Sequence, residues 1–303
     1  MRIAIVGGGL AGLSLAYYLS ERHRVTLLEK GGGASRIATG LLHPYPGEQG
    51  RRSWKADEGL ASTKKLLLLA QDALGRAVFD SSPIVRILTE AQEPIFRAHA
   101  AKYGDVLMQE GRCKILLGMT IDAPLYLEGL RRASVARGVM FCMQEVQDLQ
   151  ELDEYDQIIV AAGAGALGFA ESASLGLRTI KGQVLICEDR PLAESLIAKG
   201  YLVKNQGQLI LGATYERRFD SEEPNLAFAC ELMEQKLAHF SSLVGPLKVV
   251  DCRAAVRVAM PDQYIPFCGQ VGKKHWAVTG LGSRGLLYHA YLAERLCNNP
   301  VFL

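Results

Sequence analysis

The first thirty residues constrain the fold more than any other part of the chain. They combine a short apolar run, a glycine-rich turn at 7–12, a helical pattern and a second apolar run that ends at Glu29. A G-x-G-x-x-G turn alone is a weak signal, but a turn that follows a strand, opens a helix and precedes an acid by about 20 residues predicts a dinucleotide-binding βαβ unit. The alternative is an ordinary tight turn in an α/β sheet.

The chemistry of a dinucleotide explains the residue types in this unit. Gly7 lets the chain leave the strand sharply, Gly9 lets a pyrophosphate approach the backbone, and Gly12 lets the helix pack closely on the strand. The N–H groups that open the helix face the phosphates, and Glu29 accepts hydrogen bonds from ribose hydroxyls. The candidate cofactor-binding residues here are Gly7, Gly9, Leu10, Ala11, Gly12, Glu29 and Lys30.

A second run of small residues, 31–44, follows the acid directly. A flexible glycine loop is one interpretation, with Pro44 holding the two residues before it in extended conformations. Its position favours a second cofactor segment, because small side chains admit a pyrophosphate or a flavin ring against the backbone. Its candidate residues are Ala34, Ser35, Thr39, Gly40 and Leu41.

Composition limits the class of protein. The 303 residues are 49% hydrophobic and 22% charged, with a formal net charge of +2, which is typical of a globular enzyme and unlike a dedicated nucleic-acid binder. The first strand begins at Arg2, and the longest aliphatic run is too short to span a bilayer, so we expect no secretion signal, no membrane partner and a cytoplasmic location. Seven cysteines without a C-x-x-C pair predict reduced thiols and no metal site.

Hydrophobic periodicity places the remaining elements. Helices are predicted at 55–74, 90–103, 225–243 and 285–296, and Asp122 is predicted to cap another that runs to about 137. Strands are predicted at 84–88, 114–117, 138–141, 157–162, 184–187, 201–203, 208–212 and 276–278, and a further strand is predicted to begin at 145–146.

Two further small-residue steps repeat the opening pattern. The buried strand 157–162 ends in Ala162 and Gly163, which suits a sheet edge that faces a dinucleotide. Near the C-terminus a strand, a glycine turn and a helix follow one another again, and the free N–H groups of that turn can stabilise negative charge. A simple glycine cap is the alternative. The candidate residues of this turn are Gly282, Ser283, Arg284, Gly285 and Leu286.

The glycine turn, Glu29 and the segment GASRIATGLLHP resemble the D-amino-acid-oxidase-like (DAO) superfamily of FAD enzymes, which includes glycine oxidase and sarcosine oxidase. The resemblance implies non-covalent FAD rather than NAD, and it implies that the backbone of Val146 pairs with the adenine edge. It also implies that Arg257, assisted by Arg284, binds a substrate carboxylate. The family motif has Arg-Pro where this chain has Arg257-Val258, and a structural ion pair is the alternative role for Arg257.

A narrower resemblance, to the FAD domains of MnmC-type tRNA-modifying proteins, covers nearly the whole chain. It is carried by the segments 181–184, 212–215, 256–257 and 280–286. It implies oxidative removal of a carboxymethyl group from a wobble uridine of tRNA, with dioxygen as electron acceptor, although no methyltransferase half is expected. The alternatives are oxidation of a free amino acid, such as glycine or a D-amino acid, and a non-catalytic flavin- or NAD-binding protein. His43 and Tyr215 are candidates to line the site, and a purely structural role is the alternative for each.

The predicted fold class is α/β: a Rossmann-type FAD-binding domain with a second α+β substrate domain built on an antiparallel sheet. The FAD-binding domain is expected to comprise residues 1–78, 119–178 and 251–303, and the substrate domain residues 79–118 and 179–250. The oligomeric state is not predicted.

Overall fold

A computed structural model describes residues 1–205, 207–261 and 264–302. Its strands are β1 (Arg2–Val6), β2 (Arg24–Glu29), β3 (Leu41–Leu42), β4 (Phe79–Asp80), β5 (Ile84–Ile87), β6 (Val106–Gln109), β7 (Arg112–Ile115), β8 (Met119–Ile121), β9 (Met140–Met143), β10 (Gln157–Val160), β11 (Arg178–Cys187), β12 (Leu196–Ile197), β13 (Tyr201–Asn205), β14 (Gln208–Gly212), β15 (Val249–Ala259), β16 (Phe267–Gln270) and β17 (His275–Thr279). The α-helices are α1 (Leu10–Leu19), α2 (Ala34–Ile37), α3 (Ala56–Leu74), α4 (Glu93–Tyr103), α5 (Ala123–Ala136), α6 (Leu226–Val244) and α7 (Gly285–Cys297).

The first sheet has six strands in the order β16-β17-β10-β1-β2-β9. All neighbours are parallel except β16 and β17. Strand β1 lies in the middle and alternates between two cores: Ile3 and Ile5 pack on the helix side, whereas Ala4 and Val6 pack on the opposite side. A central parallel strand buried on both faces reads as a continuous apolar run, which is why this segment was recognisable in the sequence.

Four helices, α1, α3, α5 and α7, cover the helix side of this sheet. Two glycines allow their close approach. A Cβ atom on Gly59 of α3 would lie 2.4 Å from the carbonyl oxygen of Leu287, and one on Gly129 of α5 would lie 2.6 Å from the carbonyl oxygen of Ala70. Larger side chains at these positions would push the helices apart and open the core.

The second sheet has eight strands in the order β15-β11-β14-β13-β12-β5-β7-β6, and a three-stranded sheet, β3-β8-β4, lies beside it. The pairs are antiparallel except for β12 and β5. Helix α6 packs on one face through Ala229, Met233 and Phe240. The chain thus has the predicted α/β class, with one mostly parallel sheet and one mostly antiparallel sheet.

The predicted helices are confirmed, with boundaries that differ by up to three residues. A predicted strand at 145–146 is wrong: β9 ends at Met143, and the chain turns into a short 3₁₀ turn at Leu149–Leu152 that Asp148 caps. Strands β3, β4, β6, β8, β12 and β16 were not predicted, because they have only two to four residues and little alternation. The eleven-residue β15 was not predicted as a strand either. The domain boundaries stay a prediction. Residues 251–259 were expected in the FAD-binding domain, but they belong to β15 of the eight-stranded sheet.

Within the described ranges, none of the helices combines the length and the apolar character needed to cross a bilayer.

The cap of α5 gives a test of the local structure. The carboxylate of Asp122 accepts a hydrogen bond from the Leu125 N–H at 3.0 Å. Replacing Asp122 by Ala is expected to lower the free energy of unfolding by about 1 kcal/mol, measured by urea denaturation. The matched control is Asp122→Asn, which keeps a capping oxygen and should stay close to the wild type. Equal losses in both variants would contradict the capping role.

Candidate active site

The glycine turn between β1 and α1 has no room for side chains. Gly7 has φ +119°, and a Cβ atom there would lie 2.4 Å from the carbonyl oxygen of Ala161. A Cβ atom on Gly12 would lie 1.8 Å from the carbonyl oxygen of Gly7. Helix α1 has no side-chain cap at Gly9 and no acid in its first turn. Its opening therefore offers backbone N–H groups and a positive dipole end, as a phosphate site requires.

Glu29 is held at the end of β2 with 6% of its surface exposed. Its Oε1 accepts a hydrogen bond from Arg131 at 2.5 Å, and its Oε2 accepts one from Arg36 at 3.3 Å. A Cβ atom on Gly8 would lie 2.1 Å from Oε2, so the carboxylate lies directly against the glycine turn. The position suits a ribose next to the phosphates. Lys30 points away and pairs with Glu145 at 2.6 Å on the surface.

The small-residue segment, residues 31–44, passes next to the glycine turn between β1 and α1. Ser35, in α2 beside Ala34, accepts a hydrogen bond from the Leu10 N–H at 3.1 Å. Gly40 has φ +90°, and a Cβ atom on it would lie 1.8 Å from the carbonyl oxygen of Ile121. The segment therefore packs between α1 and β8, and the next residue, Leu41, begins β3.

Three other cofactor candidates follow strands of the same sheet. Ala162 and Gly163 follow β10, and the main chain of Ala161 and Ala162 lies against Gly7. Val146 is 7% exposed, and it follows Gln144, whose N–H donates to the Glu29 carbonyl at 3.0 Å. The main-chain N–H and C=O of Val146 have no hydrogen-bond partner among the described residues. They are available for the edge of a base beside Glu29.

The C-terminal glycine turn meets the N-terminal one. Helix α7 begins at Gly285 without a side-chain cap, and a Cβ atom on Gly285 would be 3.8 Å from the Leu10 side chain. Gly282 has φ +55°. The turn that contains Gly282, Ser283 and Arg284 precedes Leu286, which is buried. Two helix N-termini thus open towards the same region, which makes it favourable for negative charge.

Arg257 projects from β15 towards this turn. The strand ends at a bridge between Ala259 and Leu281, and the Cβ of Ala259 is 3.6 Å from where a Cβ of Gly282 would be. Because alternate residues of a strand share a face, Arg257 lies on the same side as Ala259. Its guanidinium passes over Gly182, where a Cβ atom would be 3.0 Å from Nη2.

The guanidinium of Arg257 has no ion-pair partner within the described ranges, and its Nε is buried without a hydrogen bond there. The Tyr215 ring centre is 6.0 Å from its Cζ. The alternative of a structural ion pair therefore has no support from the described residues. An unpaired, half-buried guanidinium can bind a carboxylate through two hydrogen bonds.

Tyr201 joins the small-residue segment to Arg257. Burial raises the pKa of its hydroxyl, and the neighbouring Thr39 side chain and the Arg257 charge oppose that rise. The phenol therefore stays protonated and neutral, and it can donate a hydrogen bond near the carboxylate-binding position.

His43 lies between two arginines and stays uncharged. Its Nδ1 accepts a hydrogen bond from the Tyr45 N–H at 3.3 Å. Burial, with the charges of Arg86 and Arg284, lowers the pKa of His43 to about 3. Burial also lowers the pKa of Arg284, although the neighbouring Tyr288 and Tyr264 oppose this. His43 can offer a neutral imidazole but not a positive charge at neutral pH.

Arg86 fixes the loop that carries His43. It is 1% exposed, and it donates to the carbonyl oxygens of Tyr45 at 3.0 Å and Gly47 at 2.8 Å. Tyr45 in turn donates to Asp105 at 2.6 Å and accepts from Arg52 at 2.7 Å. These bonds hold the loop after the small-residue segment in one conformation.

Sequence reasoning missed four residues of this site: Gly8, Arg36, Arg131 and Tyr201. Gly8 and Arg36 lie inside segments that the sequence already singled out, so their type and position were visible. Arg131 and Tyr201 had no local signal, because each meets its partner across more than 100 residues of chain.

Neither the cysteines nor a metal-binding cluster contributes to this site within the described residues. All seven cysteines are unpaired in the structure. The described part of the chain contains no group of three or more His, Cys, Asp or Glu side chains that could hold a metal ion.

The buried His289, at the interface of α1 and α7, gives a prediction of how the free energy of unfolding depends on pH. Burial lowers the pKa of His289 from 6.5 to about 3, and its Nδ1 is 2.7 Å from Ser14 Oγ. Below pH 6.5 the unfolded chain binds a proton that the folded chain does not, so stability falls as pH falls. His289→Gln is expected to reduce the loss of unfolding free energy between pH 7 and pH 5 by about 2 kcal/mol. Urea unfolding at both pH values measures this, and an unchanged loss would contradict a neutral His289.

The acid at the end of β2 gives a second prediction. Glu29→Ala is expected to weaken binding of FAD to the cofactor-free protein by about tenfold to a hundredfold, because a charged hydrogen-bond acceptor is lost. Titration of flavin fluorescence measures the dissociation constant. Glu145→Gln, which removes the neighbouring surface acid, is the matched control and should bind as the wild type. Unaltered affinity in Glu29→Ala would exclude a ribose contact.

Comparison with known proteins agrees with this geometry. The family model described as FAD dependent oxidoreductase (DAO) matches residues 2–298. The bifunctional protein MnmC of Acinetobacter baylyi, named for tRNA 5-methylaminomethyl-2-thiouridine biosynthesis, is 25% identical over 97% of this chain and 52% of its own length. The chain thus spans about half the length of that relative.

Two further similarities concern smaller proteins. A D-amino-acid oxidase of Streptomyces coelicolor is 27% identical over 86% of this chain and 87% of its own length. The crystal structure of glycine oxidase from Geobacillus kaustophilus has the same fold, with a TM-score of 0.82 at 19% identity, over 97% of this chain and 93% of that one.

The cradle of glycines, the acid beside it and the uncapped helix ends fit an FAD molecule, and the family model covers nearly all of the chain that forms them. The chain belongs to the DAO family of FAD-dependent oxidoreductases.

Proposed function

We propose that this enzyme oxidises the C–N bond of an amine whose neighbouring carbon carries a carboxylate. The observation that carries the proposal is the guanidinium of Arg257, which has no carboxylate partner in the described ranges and faces the turn before α7. Such a group binds a carboxylate by two charge-assisted hydrogen bonds. Anchoring at that end fixes the next carbon and its nitrogen in one orientation.

Bound FAD supplies a two-electron acceptor to this site. For a substrate R–NH–CH₂–COO⁻, the methylene carbon loses hydride and the nitrogen loses a proton, which gives R–N=CH–COO⁻. Water adds to this imine, and the C–N bond breaks to release R–NH₂ and glyoxylate. Dioxygen takes the two electrons and two protons and leaves as hydrogen peroxide, which completes the balance.

The residues around Arg257 have distinct roles in this proposal. Arg257 binds the carboxylate, and the neutral hydroxyl of Tyr201 lies near it. His43 and Arg284 line the side towards α7. No ionised acid or base of the described residues is needed at the reacting carbon, because hydride transfer and orientation account for the step.

The favoured substrate is the carboxymethylaminomethyl group on a wobble uridine of tRNA, where R is the uridine C5 methylene. The MnmC relative supports it, since the similarity extends over 97% of this chain. The second candidate is a free amino acid such as glycine or a D-amino acid. The D-amino-acid oxidase relative favours that candidate, because each chain covers most of the other.

Peroxide release separates the two candidates. The purified holoenzyme is offered glycine, sarcosine and D-alanine in one series, and tRNA that carries 5-carboxymethylaminomethyl-2-thiouridine in the other. Much faster release of peroxide and glyoxylate from the tRNA than from any free amino acid supports the favoured substrate, whereas turnover of a free amino acid at a similar or higher rate contradicts it.

The carboxylate role of Arg257 is testable with a small substrate. Arg257→Met is expected to raise KM for N-ethylglycine by about a hundredfold, since a bidentate charged pair is lost, while FAD remains bound. Arg257→Lys should recover part of the loss, because it keeps the charge but not the two-point geometry. The matched control is Arg253→Met on the same strand, whose guanidinium donates to Gln208 at 3.2 Å. Unchanged kinetics in Arg257→Met would exclude the role.

A further inference from the structure

An exposed aromatic ring stands beside the carboxylate-binding arginine. Tyr215 follows β14 and has 58% of its surface exposed. The Cζ atoms of Arg257 and Arg217 lie 6.0 Å and 5.5 Å from its ring centre. A ring that is exposed and bordered by guanidinium groups offers a flat, electron-rich face to a ligand.

The main chain on both sides of Tyr215 is held rigidly. Residues 181 and 216 form a bridge with N–H···O bonds of 2.9 and 3.0 Å in both directions. The Thr214 hydroxyl accepts from the Gln183 N–H at 2.8 Å, and the Gln183 side chain donates to Glu216 at 3.1 Å. Thr214 and Glu216 thus point inwards and Tyr215 points outwards, as alternation along an extended strand requires.

Residues of β11 also hold the loop that follows Tyr215. The Nζ of Lys181, which is 4% exposed, donates to the carbonyl oxygens of Ser221 at 2.8 Å and Glu223 at 2.6 Å. The side chain of Gln183 accepts from the Asn225 N–H at 2.7 Å. Buried polar groups therefore fix a loop that presents a solvent-exposed ring, which is the arrangement of a preformed binding surface.

The charges of this loop indicate which part of a ligand it contacts. Arg217 and Arg218 are followed by Asp220, Glu222 and Glu223, all exposed. The acids outnumber the bases, so the loop has no net attraction for a phosphate backbone. The flat ring and its adjacent guanidinium favour stacking on a planar, uncharged group instead.

We propose that Tyr215 determines substrate specificity by stacking on the nucleobase that carries the amine, while Arg257 holds the carboxylate at the other end of the same substituent. This assignment rests on the proposed function. Four bonds of about 1.5 Å join the uracil ring to the carboxylate carbon of a carboxymethylaminomethyl group, which gives a reach of about 5 Å. The Arg257 guanidinium and the Tyr215 ring centre are 6.0 Å apart, so the two groups are near enough for one such substituent to contact both.

Two substrates that differ only in the base test the proposal. The nucleoside 5-carboxymethylaminomethyluridine carries both the glycine part and the base, and N-ethylglycine carries the glycine part alone. Rapid-mixing measurements of flavin bleaching give the apparent dissociation constant and the limiting rate for each. Tyr215→Ala is expected to raise the dissociation constant of the nucleoside about tenfold and to change that of N-ethylglycine less than about twofold.

Two further variants separate stacking from other roles. Tyr215→Phe keeps the ring and should behave as the wild type with both substrates. Tyr103→Ala is the matched control, because Tyr103 is also exposed and lies 4.1 Å from a guanidinium carbon, that of Arg52, on another element. It should leave both substrates unchanged.

The outcomes distinguish this assignment from the function on which it rests. Equal effects of Tyr215→Ala on both substrates, or no effect on either, overturn the stacking role alone. Bleaching of the wild type by N-ethylglycine but not by the nucleoside excludes the nucleobase while keeping amine oxidation. Bleaching by neither compound overturns the proposed function together with the role of Tyr215.

Discussion

The structure depends on the close contact between helix α1 and the glycine turn that precedes it. Because Gly12 has no Cβ, helix α1 can lie against the Gly7 carbonyl, and this places the helix opening at the centre of the parallel sheet. Helix α7 then packs along α1, where His289 and Ser14 are 2.7 Å apart, and its own N-terminus opens beside Leu10. A methyl group at Gly12 would separate α1 from β1 and displace both N-termini from the cofactor. Every other part of the cofactor site is positioned relative to these two helices.

Local signals in the sequence were sufficient for this half of the molecule. Strands β1 and β2 are apolar runs, the turn is made of glycines, and Asp122 and Pro124 mark the start of α5, so the elements could be predicted from neighbouring residues. The partners of Glu29 could not, because Arg131 lies 102 residues away along the chain on a helix face that reads as ordinary solvent-exposed surface. Short edge strands such as β6 were equally hidden, since an exposed residue like Leu107 breaks the alternation that indicates a half-buried strand.

The substrate side depends on charges that have no counterions within the described part of the chain. Arg86 and Arg284 lie near a neutral His43, Arg257 lies beside Gly182, and none of the three has a carboxylate within ion-pair distance among the described residues. The whole chain has a net charge of only +2, so the positive potential is local and arises from placement rather than composition. Burying guanidinium groups without partners is costly, and an anionic ligand offsets that cost. The electrostatics of the site therefore favour a carboxylate-bearing substrate.

The order of strands has a consequence for biosynthesis. The central strand β1 has β10 as one neighbour, more than 150 residues later, and the sheet is completed only by β16 and β17 near residue 279. During translation the opening βαβ segment therefore emerges from the ribosome long before the strands that complete its sheet. Until then the nascent chain exposes an unpaired strand edge, which is a known route to misassembly. The cofactor site, which needs the end of β10 and the opening of α7, is therefore complete only when nearly the whole chain has been synthesised.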